Sequence, residues 1–304
     1  MDISVVIPVY QCEESLAQLH KRLTISLKSL VSDYEIIFID DRSLGNTWEL
    51  IQSISKKDNF VRGLRLSRNF GQHVAITAGL EESLGEWVVV MDCDLQDKPE
   101  EIVKLYKASQ RGFDIVFAQR VDRKDSYLKK ITSRLFYKSL SYLTGTKLDP
   151  LVANFGIYNR KVINAILSMK ETHKYFPLMV RWVGFSSISI PVEHMQREVS
   201  KTSYTFKSLL TLSVGIILSF SNKPLRLIIK LGFTISLLSA IYALIIIINV
   251  LLNGTILPGW SSIMVSIWFN SGMLMSIVGI VGLYVGKSFD EAKYRPLYIV
   301  EDRI

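Results

Sequence analysis

Residues 90–97 read Val-Met-Asp-Cys-Asp-Leu-Gln-Asp, with Asp92 and Asp94 one residue apart where an apolar run ends. Holding two carboxylates together costs like-charge repulsion, which a divalent cation relieves. Mg²⁺ or Mn²⁺ on these oxygens would bridge to a nucleotide diphosphate and neutralise a leaving group. A plainer reading also fits: two turn or N-cap aspartates ahead of a helix that begins near Pro99. A second acidic pair, Asp40 and Asp41, closes the apolar run 35–39, and an aspartate so placed can accept a hydrogen bond from a base or ribose. Residues 7–10, Ile-Pro-Val-Tyr, end the first apolar run; Pro8 suits a rigid turn and Tyr10 offers a face on which a nucleobase stacks. Each signal is weak alone, but three on successive rims of one sheet reinforce one another.

The elements that must carry these residues are legible as short β-branched runs at 4–7, 35–39, 63–66, 87–91 and 114–118. Amphipathic stretches such as 14–30 and 47–56 lie between them. Continuous apolar strands separated by helices predict an α/β fold, a mostly parallel sheet covered on both faces. Ligands of such sheets bind beyond the carboxyl ends of the strands, which is where the acidic pairs fall.

The 304 residues carry a formal charge of +8, and 49% of them are hydrophobic. The apolar excess sits after Thr205, which predicts a soluble head followed by a membrane base. Basic charge next to apolar segments favours phosphorylated substrates and an anionic membrane surface over nucleic acid, and no Lys/Arg-rich run resembles a nucleic-acid arm. Residues 231–252 and 263–285 contain no charged residue, and each spans roughly 33 Å against a bilayer core of about 30 Å. Lys223, Arg226 and Lys230 precede the first, Lys287, Lys293 and Arg295 follow the second, and the connector 253–262 is uncharged. The positive-inside rule then puts both flanks and the head in the cytoplasm. Residues 209–220 are too short to span and read as an interfacial helix. Cys12 and Cys93, with no CxxC, read as reduced thiols rather than as a disulfide or zinc ligands. The run 3–10 is short, lacks a basic flank and contains Pro8, unlike a signal peptide.

The order IPVY, EIIFIDDRS, LRLSRNFGQHVAITAGL, VVVMDCDLQDKPE and then two membrane helices resembles glycosyltransferase family 2. More narrowly it is similar to the polyprenyl-phosphate branch, which includes bactoprenol glucosyltransferases and dolichyl-phosphate mannose synthases. The resemblance covers nearly the whole chain. It implies a GT-A (Rossmann-like) catalytic domain over 1–204, juxtamembrane helices over 205–230, transmembrane helices 231–252 and 263–285 joined by an external connector, and a cytoplasmic tail 286–304. It also implies inverting transfer from a nucleotide-diphospho-sugar, commonly a UDP-sugar, to a polyprenyl phosphate; undecaprenyl phosphate at a bacterial inner membrane, for cell-envelope glycans, is favoured over dolichyl phosphate by the closer similarity to bactoprenol enzymes. The oligomeric state stays open, a homo-oligomer included.

Carried over by motif, Pro8, Tyr10, Asp40 and Asp41 would hold the nucleoside. Asp92 and Asp94 would handle metal and diphosphate, with Gln96 beside the sugar, and Arg68, Asn69 and Gly71 would line the donor pocket. The family often has an acidic residue where Cys12 stands. Arg120 takes the place of the family's arginine for the lipid phosphate. Lys129, Ser133 and Arg134 follow it, and Lys130, Arg134 and Lys138 recur at helical spacing, which also suits a solvated basic face. Arg197 and Lys201 lie in a segment resembling the family's Arg-x-x-Gly-x-Ser/Thr-x-Tyr, with Ser200 in the glycine place, and would bind phosphate. Many relatives carry a carboxylate, proposed as base, near the Asn154 position; here Asn154 is a positioning residue and Asp149 a remote alternative. Two rival readings are weaker. A processive polysaccharide synthase would carry QxxRW, whereas residues 178–182 read Leu-Met-Val-Arg-Trp. A silent scaffold of the same fold is supported only by Asn154 and Ser200, against the intact acidic pair. A dehydrogenase is excluded, because no GxGxxG follows the first strand.

Overall fold

The computed structural model describes residues 1–120, 141–143, 152–172, 174–193, 221, 223–253 and 259–304. The chain divides into two compact units. One comprises Met1–Tyr142, Thr146–Leu209 and Arg295–Ile304; the other comprises Leu143–Gly145 and Leu210–Tyr294.

The first unit is built on one eight-stranded sheet. Its strands in chain order are β1 Ile3–Val9, β2 Tyr34–Asp40, β3 Val61–Leu66, β4 Trp87–Val90, β5 Ile115–Arg120, β6 Val152–Asn159, β7 Ser187–Val192 and β8 Val300–Arg303. The spatial order is β7-β5-β6-β4-β1-β2-β3-β8. β1 pairs in parallel with β2 and β4, β2 with β3, and β5 with β7. β6 runs antiparallel between β4 and β5, and β8 runs antiparallel along β3. Every residue of β1, β2 and β4 is buried, as strands covered on both faces require. Helices α1 Glu13–Lys28, α2 Thr47–Ser55, α3 Gln72–Glu82, α4 Ile102–Ser109, α5 Arg160–Leu167 and α6 Phe176–Trp182 complete the described part of this unit. The acidic segment leads into a short 3₁₀ turn, Pro99–Glu101, before α4.

The five expected strands are all present. β6, β7 and β8 were not anticipated. Pro8 is a further departure, because it is a buried residue within β1, paired with Ile39, and not a turn. Val9 O accepts from Asp41 N on the β2 side, while Val6 O accepts from Met91 N on the β4 side. Backbone groups alternate along a strand, so the N–H that Pro8 lacks would face β4, whose pairing with β1 stops at Val6. The proline sits where no ladder bond is lost.

Glycine has a distinct task in α3. A Cβ on Gly79 would meet Val6 Cγ1 and would lie 2.5 Å from Ile39 Cδ1, so the helix packs against β1 and β2 at closest approach. This packing fixes the start of α3 over the carboxyl rim of the sheet.

In the second unit, α7 spans Lys223–Asn253 and α8 spans Trp260–Ala292. At 31 and 33 residues they extend roughly 46 and 50 Å, past the expected spans at both ends. The extension carries Lys223, Arg226, Lys230 and Lys287 on helix rather than on flanking chain. Among the described residues Ser266–Ala292 is the stretch long and apolar enough to cross a membrane. The span expected at 231–252 falls within α7 and does not appear as a second such stretch. Tyr284 Oη donates to Ser221 O at 2.8 Å, joining α8 to the chain just before α7. The expected interfacial helix at 209–220 lies outside the described residues.

Gly79→Ala gains helix propensity but forces a methyl into Val6, a β-branched residue in a central strand. The net expected effect is a loss of about 1–2 kcal/mol, read as a lower unfolding midpoint of the full chain in detergent. An unchanged midpoint would show that α3 does not pack on the sheet this closely.

Candidate active site

β1, β2, β4 and β5 all end on one rim of the sheet, and β6 starts there. The β4–β6 pairing runs to Val90 and Gly156, so Asn154, two residues before Gly156 on β6, lies at the same rim as Asp92, two residues after Val90. Arg120 closes β5 beside Val192 of β7. The rim therefore gathers Tyr10, Asp41, Asp92, Asp94, Arg120 and Asn154, expected as site residues, from five different strands or strand ends.

Its loops are held in unusual backbone conformations. Among the described residues four non-glycine residues have positive φ, and three follow rim strands: Gln11 at 56° after β1, Arg42 at 59° after β2 and Leu95 at 60° after β4. Such conformations cost energy and persist where the surroundings enforce them, commonly at functional sites.

The loop from 68 to 71 is clamped by Asp41. Its carboxylate accepts from Phe70 N at 2.7 Å and from Gly71 N at 2.8 Å. Gly71 stands at φ 96°, a conformation L side chains rarely adopt, and it opens α3. Burial raises the Asp41 pKa, and the two backbone bonds offset part of that rise. Arg68 and Asn69 are exposed on this loop, with the Arg68 guanidinium 4.6 Å from the Phe70 ring centre. Asp40 has another role. It is fully buried, accepts from Ser43 N at 2.8 Å and pairs with Arg65 at 3.4 Å, so it shapes the turn and does not present a face to a nucleoside. Tyr10 is 45% exposed, free to serve as a stacking face, whereas Pro8 is buried.

The first residue of α3 reaches the acidic pair. Gln72 Nε2 donates to Asp92 Oδ1 at 2.7 Å, fixing that carboxylate. Asp94 Oδ1 accepts from Gln96 N at 3.1 Å in a tight turn, the turn-forming role expected of the pair. Ser15 Oγ donates to Cys93 O at 2.6 Å and ties α1 to the same segment. Gln72 was missed by sequence reasoning, since nothing in QHVAITAG marks one glutamine as an orienting group. Among the described residues no three His, Cys, Asp or Glu side chains cluster into a closed metal site. Asp92 and Asp94 carry hard oxygen donors of the kind that would suit Mg²⁺ or Mn²⁺.

Cys12 and Cys93 correct the expectation of separate thiols: they are joined as a disulfide, with Cα atoms 6.2 Å apart. They are 81 residues apart in sequence, but β1 and β4 are neighbours and end side by side. Lys129, Ser133, Arg134, Arg197, Lys201 and Asp149 lie outside the described residues.

The model of the family described as "Glycosyl transferase family 2" matches residues 4–167, which contain the described rim loops. The chain belongs to glycosyltransferase family 2. An uncharacterized glycosyltransferase, YkcC, of Bacillus subtilis (strain 168) is 35% identical over 299 residues, 98% of this chain and 93% of the relative. An undecaprenyl-phosphate 4-deoxy-4-formamido-L-arabinose transferase of Proteus mirabilis (strain HI4320) is 32% identical over 302 residues, 98% and 93% of the two chains. Among solved structures, glucosyl-3-phosphoglycerate synthase from Mycobacterium tuberculosis, in complex with Mn²⁺, UDP-glucose and phosphoglyceric acid, aligns with TM-score 0.51 at 18% identity. That alignment covers 72% of this chain and 78% of the other and shows the shared fold. The family makes the chain a glycosyltransferase with a GT-A-like α/β domain.

Beside the rim, His73 follows Gln72 on α3 and meets Tyr175 edge-on at 4.7 Å. Its Nδ1 is buried without a hydrogen-bond partner, and burial pushes its pKa down to about 4 from 6.5. The folded state thus favours the neutral ring. Its contribution to stability is present above pH 6.5 and is lost as pH falls through 4, about 3 kcal/mol in all. Denaturant midpoints of the full chain in detergent should fall across this window less in His73→Phe than in the parent. Identical pH dependence would place the titration elsewhere.

Proposed function

We propose that the chain transfers a sugar, with inversion, from a nucleotide-diphospho-sugar, a UDP-sugar in the first instance, to undecaprenyl phosphate. The observation that carries the reading is the rim itself, where a pinned Asp92 and Asp94 stand between an exposed Tyr10 and the Asn154–Arg120 end of β6 and β5. The names of relatives that align over nearly their full length support the lipid-phosphate acceptor. The UDP-glucose complex of the mycobacterial enzyme supports the donor class.

In this reading Tyr10 stacks on the base, while Asp41 holds the loop carrying Arg68 and Asn69 against the donor. Mg²⁺ or Mn²⁺ held by Asp92 and Asp94 would neutralise the diphosphate as it leaves. The acceptor phosphate oxygen forms the new bond to the anomeric carbon while the bond from that carbon to the diphosphate breaks, and the nucleoside diphosphate departs with the electron pair. No proton has to move. A phosphate monoester has its second pKa near about 6, so the attacking oxygen already carries charge at neutral pH. The acceptor needs orientation by Asn154 and cations that offset the repulsion between two anionic reactants, foremost Arg120. The helical unit would sit as a two-span hairpin in the bacterial inner membrane with the catalytic domain cytoplasmic, as the charge asymmetry around the spans favours.

Three substitutions test this division of labour. Membranes offered radiolabelled nucleotide sugars should yield organic-soluble, lipid-linked label, and Asp94→Asn should cut it by at least about a hundredfold. Full activity of the parent protein in EDTA would sink the metal assignment, and label in a growing polymer would favour the processive reading. Asn154→Ala should slow transfer by roughly tenfold or less, since only positioning is lost. Arg120→Ala should weaken acceptor use far more while leaving donor binding nearly intact. Abolition by Asn154→Ala together with a mild Arg120→Ala would show that position 154, not the cations, carries the acceptor chemistry.

A further inference from the structure

The last strand of the sheet comes from the end of the chain. β8 lies antiparallel along β3, pairing Leu64 with Arg303 and Arg65 with Asp302. Ile304 N and O exchange bonds with Gly63 at 3.0 Å each, and Ser67 N donates to Ile299 O at 2.9 Å. The strand has little apolar content, and its side chains are mostly exposed. Polar contacts to elements around the donor rim hold it. Trp48 Nε1 of α2 donates to Asp302 Oδ2 at 3.1 Å, and Tyr298 Oη bonds Glu81 of α3. Arg42 Nη1 bonds Glu301 Oε2.

Glu301 stands at the outer end of a chain of polar contacts that runs inward to the rim. It pairs with Arg42, which sits at φ 59°, and lies 3.6 Å from Arg65 Nε. Arg65 pairs with the buried Asp40 at 3.4 Å, Asp40 accepts from Ser43 N at 2.8 Å, and Ser43 Oγ accepts from Gln11 N at 3.1 Å. Gln11, at φ 56°, follows Tyr10 directly. Both strained loops that flank the expected nucleoside pocket are therefore linked to one carboxylate on β8. A strained backbone keeps its shape only while its surroundings over-determine it.

We propose that Glu301 is a positioning residue of the donor site, and that β8 holds the loops bearing Tyr10 and Asp41 in their nucleotide-binding conformation through Arg42 and Arg65. Asp40 takes its place here, as the buried relay between Arg65 and the Ser43 turn. This role rests on the nucleotide-sugar donor proposed above.

The test uses the full chain in detergent, with UDP as the probe. Glu301→Gln should weaken UDP binding by about fivefold at low salt, with less difference at high salt, where partly exposed charges are screened. The donor KM should rise with kcat nearly unchanged, and Glu301→Asp should recover part of the loss. Arg42→Met breaks the same pair without altering β8 and should reproduce the loss. Arg303→Ala, which removes a different ion pair of the same strand, to Glu82 at 3.3 Å, should leave UDP affinity within about twofold. Unchanged affinity in both Glu301→Gln and Arg42→Met would overturn the proposal, as would an equal loss in Arg303→Ala, which would mean that β8 matters only as an edge strand. Failure of the parent protein to bind UDP would overturn the UDP donor and this role together, whereas parent binding with unaffected variants removes this role alone.

Discussion

The Asp41 carboxylate, buried where β2 ends, accepts the N–H groups of Phe70 and Gly71, and the rest of the rim depends on that clamp. It fixes the entry to α3. The entry sets Gln72, and Gln72 fixes Asp92. A carboxylate at the end of one strand therefore orients a carboxylate at the end of another, through a loop and the first turn of a helix. The Gly71 backbone makes the path possible, because at φ 96° the chain turns into α3 with its N–H still aimed at Asp41. The arrangement has an electrostatic logic as well. Three acidic groups, Asp41, Asp92 and Asp94, are kept near one rim, and the hydrogen bonds given to Asp41 and Asp92 reduce the cost of holding charge there.

Much of this was readable from residue types. Continuous Val and Ile runs marked β1, β2 and β4 because these strands are buried on both faces, and an aspartate after such a run has to lie at the carboxyl rim. β7, Ser187–Val192, was less legible: it alternates as a half-covered edge strand does, over only six residues. β8, Val-Glu-Asp-Arg, has no hydrophobic signature at all, since ladder bonds and ion pairs hold it and burial does not. β6 carries Asn154, yet only family resemblance singled that residue out, because asparagine in a strand announces no chemistry.

Roles were harder to read than places. Asp40 and Asp41 look equivalent in sequence, but alternation along β2 turns one inward to Arg65 and the Ser43 turn and the other toward the 70–71 loop. Pro8 looked like a turn because proline usually interrupts strands; it is tolerated in β1 because β4 stops short beside it. Cys12 and Cys93 looked independent at a separation of 81 residues, and only the adjacency of β1 and β4 brings them together. In each case the missing information was which strand neighbours which, a long-range property that local patterns do not encode.

The same sheet constrains the membrane reading. β3 precedes α7 and α8 in sequence, β8 follows them, and the two strands pair along one ladder. A folded sheet cannot straddle a bilayer, because its ladder groups would be left without partners in hydrocarbon. A chain that crossed a bilayer between these strands would therefore have to leave and return on the same side, with an even number of crossings. Ser266–Ala292 on its own, the stretch that meets the length and apolarity of a span, would leave β8 on the wrong side. Parity thus favours α7 as its partner in a hairpin. α7 has the length for it: at roughly 46 Å it exceeds the bilayer core of about 30 Å and leaves its N-terminal turns, with Lys223, Arg226 and Lys230, for the headgroups. Lys223, Arg226 and Lys230 at the start of the pair and Lys287, Lys293 and Arg295 at its end give both ends the same charge character, which is what a hairpin returning to its side of entry would require.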